Sequence, residues 1–159
     1  VKDILRAIER VGTRGVVLVV DDDEDFAESL AEALRAAGYS TLVACDGDRA
    51  LEGARDGSVE VMVLDLRLPG LSGLGVYQEL RRAGLAVPTV VVTGYPQEEA
   101  ATLHVLKALD IRGVMVKPVD IRALLRVVEE VREPKTSRDV QAGSAGPEPP
   151  PVVGDRKAR

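Results

Sequence analysis

The sequence has few of the residues on which many kinds of site depend. Its 159 residues include one cysteine, Cys45, one histidine, His104, and no tryptophan. A single cysteine excludes internal disulfides and zinc sites built from several thiolates, and it favours a reducing, cytoplasmic setting. Histidine-dependent catalysis would have to rest on one residue. No apolar run approaches the roughly 20 residues that cross a bilayer, so we predict no membrane contact.

The overall charge is moderately acidic. The formal net charge is −5 at pH 7, which argues against direct binding of nucleic acid, because such proteins carry a basic footprint. Hydrophobic residues make up 45% of the chain and charged residues 30%, as in ordinary soluble globular proteins. The length allows one domain with a sizeable core and an unstructured flank.

The chain divides into three segments by composition. Of the nine prolines, five fall from Pro134 onward, so we predict a flexible Pro/Gly-rich tail over 134–159. Residues 1–14 are amphipathic and predict an N-terminal helix or linker. Residues 15–133 between them form the predicted domain.

Short apolar runs and helical patterns alternate through this domain. Near-continuous runs rich in β-branched residues suit parallel strands covered on both faces. Four such runs occupy 16–20, 59–65, 87–93 and 111–116. A fifth run, 39–44, alternates more and is expected nearer an edge of the sheet. Helical patterns occupy 24–37, 47–55, 72–83, 97–108 and 120–131.

The order of these elements predicts the fold. Five β-α units indicate an α/β protein with a doubly wound five-stranded parallel sheet and helices on both faces. Gly38 is the expected stop of the first helix. The last helical pattern places Ile121, Leu124, Leu125 and Val128 on one apolar face.

Polar residues gather where the predicted strands end. The first strand ends at Asp21 and Asp22, the third at Asp65, the fourth at Thr93 and the fifth at Lys117. In doubly wound sheets ligands bind at the carboxyl ends of the strands, so we expect these groups to share one crevice. Several carboxylates together need a cation between them. Magnesium suits such a site, because it commonly takes one or two carboxylates with water and phosphate oxygens.

These groups suit phosphoryl transfer. A carboxylate can attack phosphorus to give an aspartyl phosphate. The transfer mainly needs positioning and charge neutralisation, which a metal and a lysine supply. A threonine hydroxyl beside the site can donate a hydrogen bond to a phosphoryl oxygen.

Four motifs together carry a family resemblance. The segments VLVVDDDED, VLDLRLPGLSG, VVVTGY and VMVKP, in that order and spacing, resemble the receiver domain of bacterial response regulators over about residues 16–132. The resemblance implies a flavodoxin-like sheet in strand order 2-1-3-4-5. It also implies that Asp65 is the phosphoacceptor. It implies that Asp21 and Asp22 bind the metal, the second directly and the first usually through water. Asp65 and the backbone carbonyl of Arg67 complete the implied ligand set.

The remaining motif residues have implied roles as well. Thr93 matches the hydroxyl residue of the family and Lys117 its lysine. Pro118 matches a proline usually preceded by a cis peptide bond, which would aim the lysine into the site. At Val114, by contrast, receivers usually have a Phe or Tyr that swings inward on phosphorylation. The aromatic half of the usual switch is therefore missing.

Arg67 and Tyr95 occupy positions that flank the phosphoryl group in this family and modulate its hydrolysis. Both are bulky enough to obstruct an attacking water, which leads to the hypothesis of a long-lived phosphoryl state. Other acids have simpler interpretations. Glu24 and Asp25 suit the solvated first turn of a helix, whereas Asp23 lies at the boundary between this helix start and the two acids before it.

The leading functional hypothesis is a signalling module that accepts a phosphoryl group on Asp65 in a magnesium-dependent reaction and then changes the surface formed by its fourth helix, fifth strand and fifth helix. Such a module assists its own phosphorylation and turns over no external substrate. One alternative is an aspartyl-phosphate phosphohydrolase of the haloacid-dehalogenase type, but that class needs an acid where Arg67 stands. The other is a pseudo-receiver that works by protein binding alone, an alternative that Val114 keeps open.

The resemblance also implies partners. The phosphoryl donor is a histidine kinase or a histidine phosphotransfer protein, and the output is a downstream protein or a fused domain. We expect a stand-alone receiver or a part of a larger protein, such as a hybrid kinase or multi-receiver protein, and the flanking segments favour the second. Receivers often dimerise through their fourth and fifth helices, which leaves a homodimer open.

Overall fold

The computed structural model describes residues 14–109 and 111–132. Strands and helices alternate throughout this part of the chain. The elements are β1 (Val16–Val20), α1 (Glu24–Ala36), β2 (Ser40–Ala44), α2 (Gly47–Ala54), β3 (Val61–Asp65), α3 (Gly73–Arg82), β4 (Thr89–Thr93), α4 (Ala100–Ala108), β5 (Gly113–Val116) and α5 (Ile121–Arg132).

The strands form one parallel sheet in the order β2-β1-β3-β4-β5, which confirms the predicted topology. All residues of β1, β3 and β4 are buried, as expected for central strands of a doubly wound sheet. β2 and β5 lie at the two edges and are only partly buried. The edge position predicted for 39–44 is therefore confirmed.

Each face of the sheet carries its own core. Successive residues of a strand point to opposite faces. Leu18 and Val20 therefore belong to the core beneath α2, α3 and α4, and Val17 and Val19 to the core beneath α1 and α5. Helices thus cover both faces, as predicted, and the carboxyl ends of the central strands remain the accessible edge of the sheet.

The boundaries of several elements differ from the predictions. Three strands begin two residues later than predicted, at Val61, Thr89 and Gly113. Helix α4 begins at Ala100 rather than at 97, because the chain after Pro96 first makes a turn. Ile121, which was expected on the apolar face of the last helix, is 37% exposed.

Other expectations are met or lie outside the described residues. Gly38 follows α1 with a φ of 99°, a conformation that favours glycine, and so ends the helix as predicted. The predicted segments 1–14 and 134–159 fall outside the described residues, apart from residue 14. Among the helices of the described part, none has the length and apolar character to cross a membrane.

A hydrogen bond between distant residues holds α5 against the start of β2. The buried Tyr39 donates its hydroxyl to Glu129 Oε2. This hydrogen bond is the main reason that the pKa of Glu129 is lowered, with the charge of Arg132 as a further cause. Burial, followed by the same hydrogen bond, raises the pKa of Tyr39.

The Tyr39–Glu129 pair predicts a pH-dependent contribution to stability. An acid with a lowered pKa stabilises the fold above its unfolded value and loses that contribution as the pH falls through the folded value. A phenol with a raised pKa loses its contribution as the pH rises through its folded value. Tyr39→Phe should therefore lower the free energy of unfolding by about 1 kcal/mol near neutral pH, and by less towards pH 3 or above pH 10. Urea unfolding of both proteins across this range measures the difference, and a difference independent of pH would contradict the pairing.

Candidate functional site

Three carboxylates meet at the carboxyl ends of β1 and β3. Val20 lies opposite Leu64 in the parallel pair, so the residues that follow them, Asp21 and Asp65, come side by side. Asp21 is 2% exposed and Asp65 is 6% exposed, whereas Asp22 faces solvent. One carboxylate oxygen from each of the three lies within 4.8 Å of the others.

Lys117 brings a positive charge into this cluster from the end of β5. Its Nζ donates to Asp21 Oδ2 at 2.7 Å and to Asp65 Oδ2 at 3.2 Å. Its backbone N–H donates to the carbonyl of Thr93 at 2.9 Å, which extends the β4–β5 pairing to the site. The Lys117–Pro118 peptide bond is cis, as the resemblance implies.

The two buried carboxylates are held in the same way. Asp21 Oδ1 accepts from the backbone N–H of Asp23 at 2.9 Å, and Asp65 Oδ1 accepts from that of Arg67 at 3.1 Å. In each case the acceptor is two residues before the donor, so the loop after the strand orients the side chain. The other oxygen, Oδ2, faces Lys117. A cation entering the cluster would therefore meet oxygens that are already oriented.

Burial and charge both act on Asp65 and Lys117. Burial is the largest influence and raises the pKa of Asp65, aided by the charge of Asp21, while the Arg67 N–H and Lys117 act against it. Burial alone would lower the pKa of Lys117, but the hydrogen bond to Asp21 and the charge of Asp65 outweigh it and raise the pKa. Lys117 is therefore an ammonium ion at neutral pH.

The donor set fits a hard divalent cation. Three carboxylates face one ammonium, so negative charge is in excess within the cluster. Carboxylate and carbonyl oxygens are the ligands that magnesium takes in proteins. The exposed position of Asp22 leaves room for water and phosphate oxygens beside the cluster.

Thr93 ends β4 next to the cluster. Its side chain is fully buried, and its hydroxyl oxygen accepts from the backbone N–H of Tyr95 at 3.1 Å. Val114 does not join the cluster, because it lies within the edge strand β5 with 37% of its surface exposed. Val114, where the sequence lacks the aromatic side chain that is usual in receivers, therefore faces outward.

Arg67 and Tyr95 stack on each other beside the cluster. The guanidinium carbon of Arg67 lies 3.8 Å from the centroid of the Tyr95 ring, and Arg67 Nε donates to Glu99 Oε1 at 3.0 Å. Arg67, Glu99 and Asp22 line a groove of about 520 Å³. Arg67 therefore belongs both to the stack with Tyr95 and to the lining of a groove that Asp22, one carboxylate of the cluster, also lines.

The other acids after β1 belong to the helix start. Asp23 caps α1 by accepting from the backbone N–H of Phe26 at 3.1 Å. Glu24 and Asp25 are exposed in the first turn, where negative charge stabilises a helix. The predicted placement of Glu24 and Asp25 in the solvated first turn of a helix is therefore observed.

Two neighbours of the site were missed by sequence reasoning. Phe26 was interpreted only as a residue of the helical pattern 24–37, yet the centroid of its ring lies 4.4 Å from Lys117 Nζ. Its nearness to the acidic run was the one available signal. Glu99 was an ordinary position in the predicted helix 97–108, and its partner Arg67 is 32 residues away in sequence.

Comparison with known proteins shows the family of the chain. The family model of the response regulator receiver domain matches residues 17–129. An uncharacterized transcriptional regulatory protein of Bacillus subtilis, YrkP, is 37% identical over 119 residues, which are 73% of this chain and 49% of the relative. A response regulator receiver protein of Anaeromyxobacter is 34% identical over 108 residues, covering 68% of this chain and 44% of the relative.

The fold agrees with solved structures too. The structure of chemotaxis protein CheY4 from Vibrio cholerae is similar with a TM-score of 0.66 and 27% identity, covering 74% of this chain and 98% of that one. The chain spans about half the length of the curated relatives it matches. Since the family model, the relatives and the fold agree over the same residues, the chain belongs to the response regulator receiver domain family of two-component systems.

Proposed function

We propose that Asp65 accepts a phosphoryl group from a phosphohistidine of a partner protein in a magnesium-dependent reaction. The observation that carries this proposal is the meeting of Asp65 with Asp21, Asp22 and the Lys117 ammonium at one edge of the sheet. Asp65 is oriented by the Arg67 N–H, and so presents a fixed carboxylate to a donor. Positioning of this kind supplies much of the rate in phosphoryl transfer.

In the proposed reaction a carboxylate oxygen of Asp65 attacks phosphorus. The P–N bond to the partner's imidazole breaks, and that nitrogen keeps the electron pair and takes up a proton. The Lys117 ammonium, already 3.2 Å from Asp65 Oδ2, stays beside the new phosphoryl oxygens. The Thr93 hydroxyl turns from its contact with Tyr95 to donate to one of them.

The metal site in this proposal consists of Asp21, Asp22, Asp65 and the backbone carbonyl of Arg67. When they hold magnesium, the ion supplies positive charge against the phosphoryl oxygens. Asp21 and Asp65 are the pre-oriented members of this set. Because Lys117 occupies their Oδ2 atoms, we expect metal binding to loosen its contact with Asp21.

The wider role follows from the family. We propose that the phosphoryl donor is a histidine kinase or a histidine phosphotransfer protein, and that the module turns over no external substrate.

Residues 15–133 form the proposed receiver, with the helix or linker 1–14 before it and the tail 134–159 after it. YrkP is named a transcriptional regulatory protein, so a fused output domain fits as well as a separate protein target. We propose a cytoplasmic location, which fits the presence of a single cysteine. The proposal also includes a homodimer formed through α4 and α5.

The Arg67–Tyr95 stack predicts a long-lived phosphoryl state. Arg67 and Tyr95 are bulky and stack on each other, and Glu99 pairs with Arg67, so we expect these side chains to obstruct a water that attacks phosphorus. We expect a half-life of minutes or longer, and a severalfold shorter one in Arg67→Ala. Arg49→Ala, which removes an exposed arginine of α2, should leave the half-life unchanged. A half-life of seconds in the unsubstituted protein would contradict the prediction.

The proposed function is tested by direct phosphorylation. With acetyl phosphate and magnesium, the protein should form an acid-stable, base-labile adduct, and a chelator should prevent it. Asp65→Asn should abolish the adduct. Asp48→Asn, which makes the same change at an exposed position of α2, should retain it.

The same experiment separates the alternatives. An intact fold that forms no adduct would indicate a pseudo-receiver, the alternative that Val114 keeps open. Steady release of phosphate from added phosphoesters would indicate a phosphohydrolase. Arg67 at the position where that class needs an acid argues against the second outcome.

A further inference from the structure

The ammonium of Lys117 has an aromatic neighbour in addition to its two carboxylates. Phe26 lies in the first turn of α1, and Lys117 Nζ is 4.4 Å from the centroid of its ring. The same Nζ donates to Asp21 and Asp65. The ammonium therefore contacts a ring from α1, a carboxylate from the residue after β1 and a carboxylate from the end of β3.

An aromatic ring in this place exerts a specific attraction. The face of a phenyl ring carries partial negative charge and attracts a cation within about 6 Å of its centroid. A lysine stem is flexible, and 25% of the Lys117 side chain is exposed, so other rotamers would carry the ammonium into water. The ring face favours the one arrangement in which the ammonium stays between the acids.

Phe26 itself is held in place from two sides. Its backbone N–H donates to the capping carboxylate of Asp23 at 3.1 Å. Its side chain is partly buried against the core beneath α1 and α5. The ring is therefore a fixed surface against which the more mobile lysine side chain packs.

We propose that Phe26 is a positioning residue whose ring holds the Lys117 ammonium between Asp21 and Asp65, ready for a phosphoryl group on Asp65. This inference rests on the proposed function of Asp65. Phe26 touches Lys117 and acts through it.

The composition of the chain allows a sharp test. Phe26 is the single phenylalanine among the 159 residues, so fluorinated phenylalanine supplied during expression changes the ring at this position alone. Fluorine withdraws the negative charge from the ring face with little change of shape. We expect the rate of adduct formation with acetyl phosphate and magnesium to fall stepwise from phenylalanine through 4-fluoro- to 3,4,5-trifluorophenylalanine, by about threefold to tenfold overall.

Two substitutions complete the rate series. Phe26→Tyr keeps an aromatic face and should retain the rate within about twofold. Phe26→Leu removes the face and should match the trifluoro protein. If Phe26→Leu is slow while the fluorinated proteins are as fast as the unsubstituted one, only the bulk of the ring matters and the proposal is overturned. Equal rates in all of these proteins overturn it as well.

A second readout needs no phosphorylation. The ring current of Phe26 should shift the ε-methylene proton resonances of Lys117 upfield, and Phe26→Leu should return them to ordinary positions. Resonances at ordinary positions in the unsubstituted protein would overturn the contact itself. A ring-current shift in a protein that forms no adduct would retain the contact but reject both the positioning role and the proposed function.

Discussion

Lys117→Gln will slow adduct formation on Asp65 by about 100-fold, as expected when one preorganised charged donor to a transition state is lost. The ammonium is the one cation that contacts both Asp21 and Asp65 within the described residues. Glutamine keeps much of the length and can still donate a hydrogen bond, but it brings no charge. The rate with acetyl phosphate and saturating magnesium measures the effect.

The substitution should also affect stability in a metal-dependent way. In a chelator, Lys117→Gln leaves two buried carboxylates facing each other without a cation, which costs about 1–3 kcal/mol in free energy of unfolding. Magnesium should reduce the difference in free energy of unfolding between Lys117→Gln and the unsubstituted protein, because it supplies the missing positive charge. Lys107→Gln, in the last turn of α4, is the matched control and should change neither the rate nor the metal dependence. A similar slowing in both variants would contradict a specific role for Lys117.

Gly73→Ala will have the largest effect on the backbone at the site. A Cβ at Gly73 would lie 2.8 Å from the Cα of Leu66 and would also clash with the carbonyl oxygen of Asp65. Both are backbone atoms that cannot rotate away. We expect a loss of about 3 kcal/mol in free energy of unfolding, the upper range for overpacking. We also expect about tenfold slower adduct formation, since small displacements of reacting groups reduce rates steeply.

Gly53 provides a matched control within a helix. A Cβ there would lie 3.6 Å from Leu18 Cδ1, an ordinary van der Waals contact. Gly53→Ala should therefore raise stability by about 0.5–1 kcal/mol, because alanine favours a helix more than glycine does. Urea unfolding of the two variants separates helix propensity from steric clash. Equal effects of the two substitutions would show that Gly73 is not limited by space.

Burial patterns made the fold predictable. Strand β1 is apolar throughout, and β3 and β4 are apolar except for Asp65, Thr89 and Thr93, because helices cover both faces of the sheet. Residues 16–20 were predicted with the bounds that the structure has. The start of α4 was missed because Gln97, Glu98 and Glu99, which form the turn after Pro96, are residue types that also suit the first turn of a helix. Glu99 forms no side-chain cap there, and its carboxylate pairs with Arg67 instead.

The residue types that form the site could also be predicted from the sequence. Asp21, Asp65 and Thr93 end neighbouring parallel strands, and the carboxyl ends of such strands share one edge of the sheet. Their sequence motifs therefore indicated both the chemistry and the place. The different exposure of the adjacent acids, with Asp21 buried and Asp22 in solvent, depends on how the loop after β1 turns.

The sequence by itself thus determined the order of elements, the two-faced core and the residue types at the strand ends, because periodicity reports which side of each segment is buried. Which side chains contact each other within the site was decided only by the tertiary structure. Lys117 pairs with Asp21 across 96 positions, and Arg67 with Glu99 across 32. The Phe26 ring meets Lys117 because the start of α1 and the end of β5 both lie at the carboxyl ends of the strands. Such contacts depend on side-chain directions after folding, which a local pattern of apolar and polar residues does not contain.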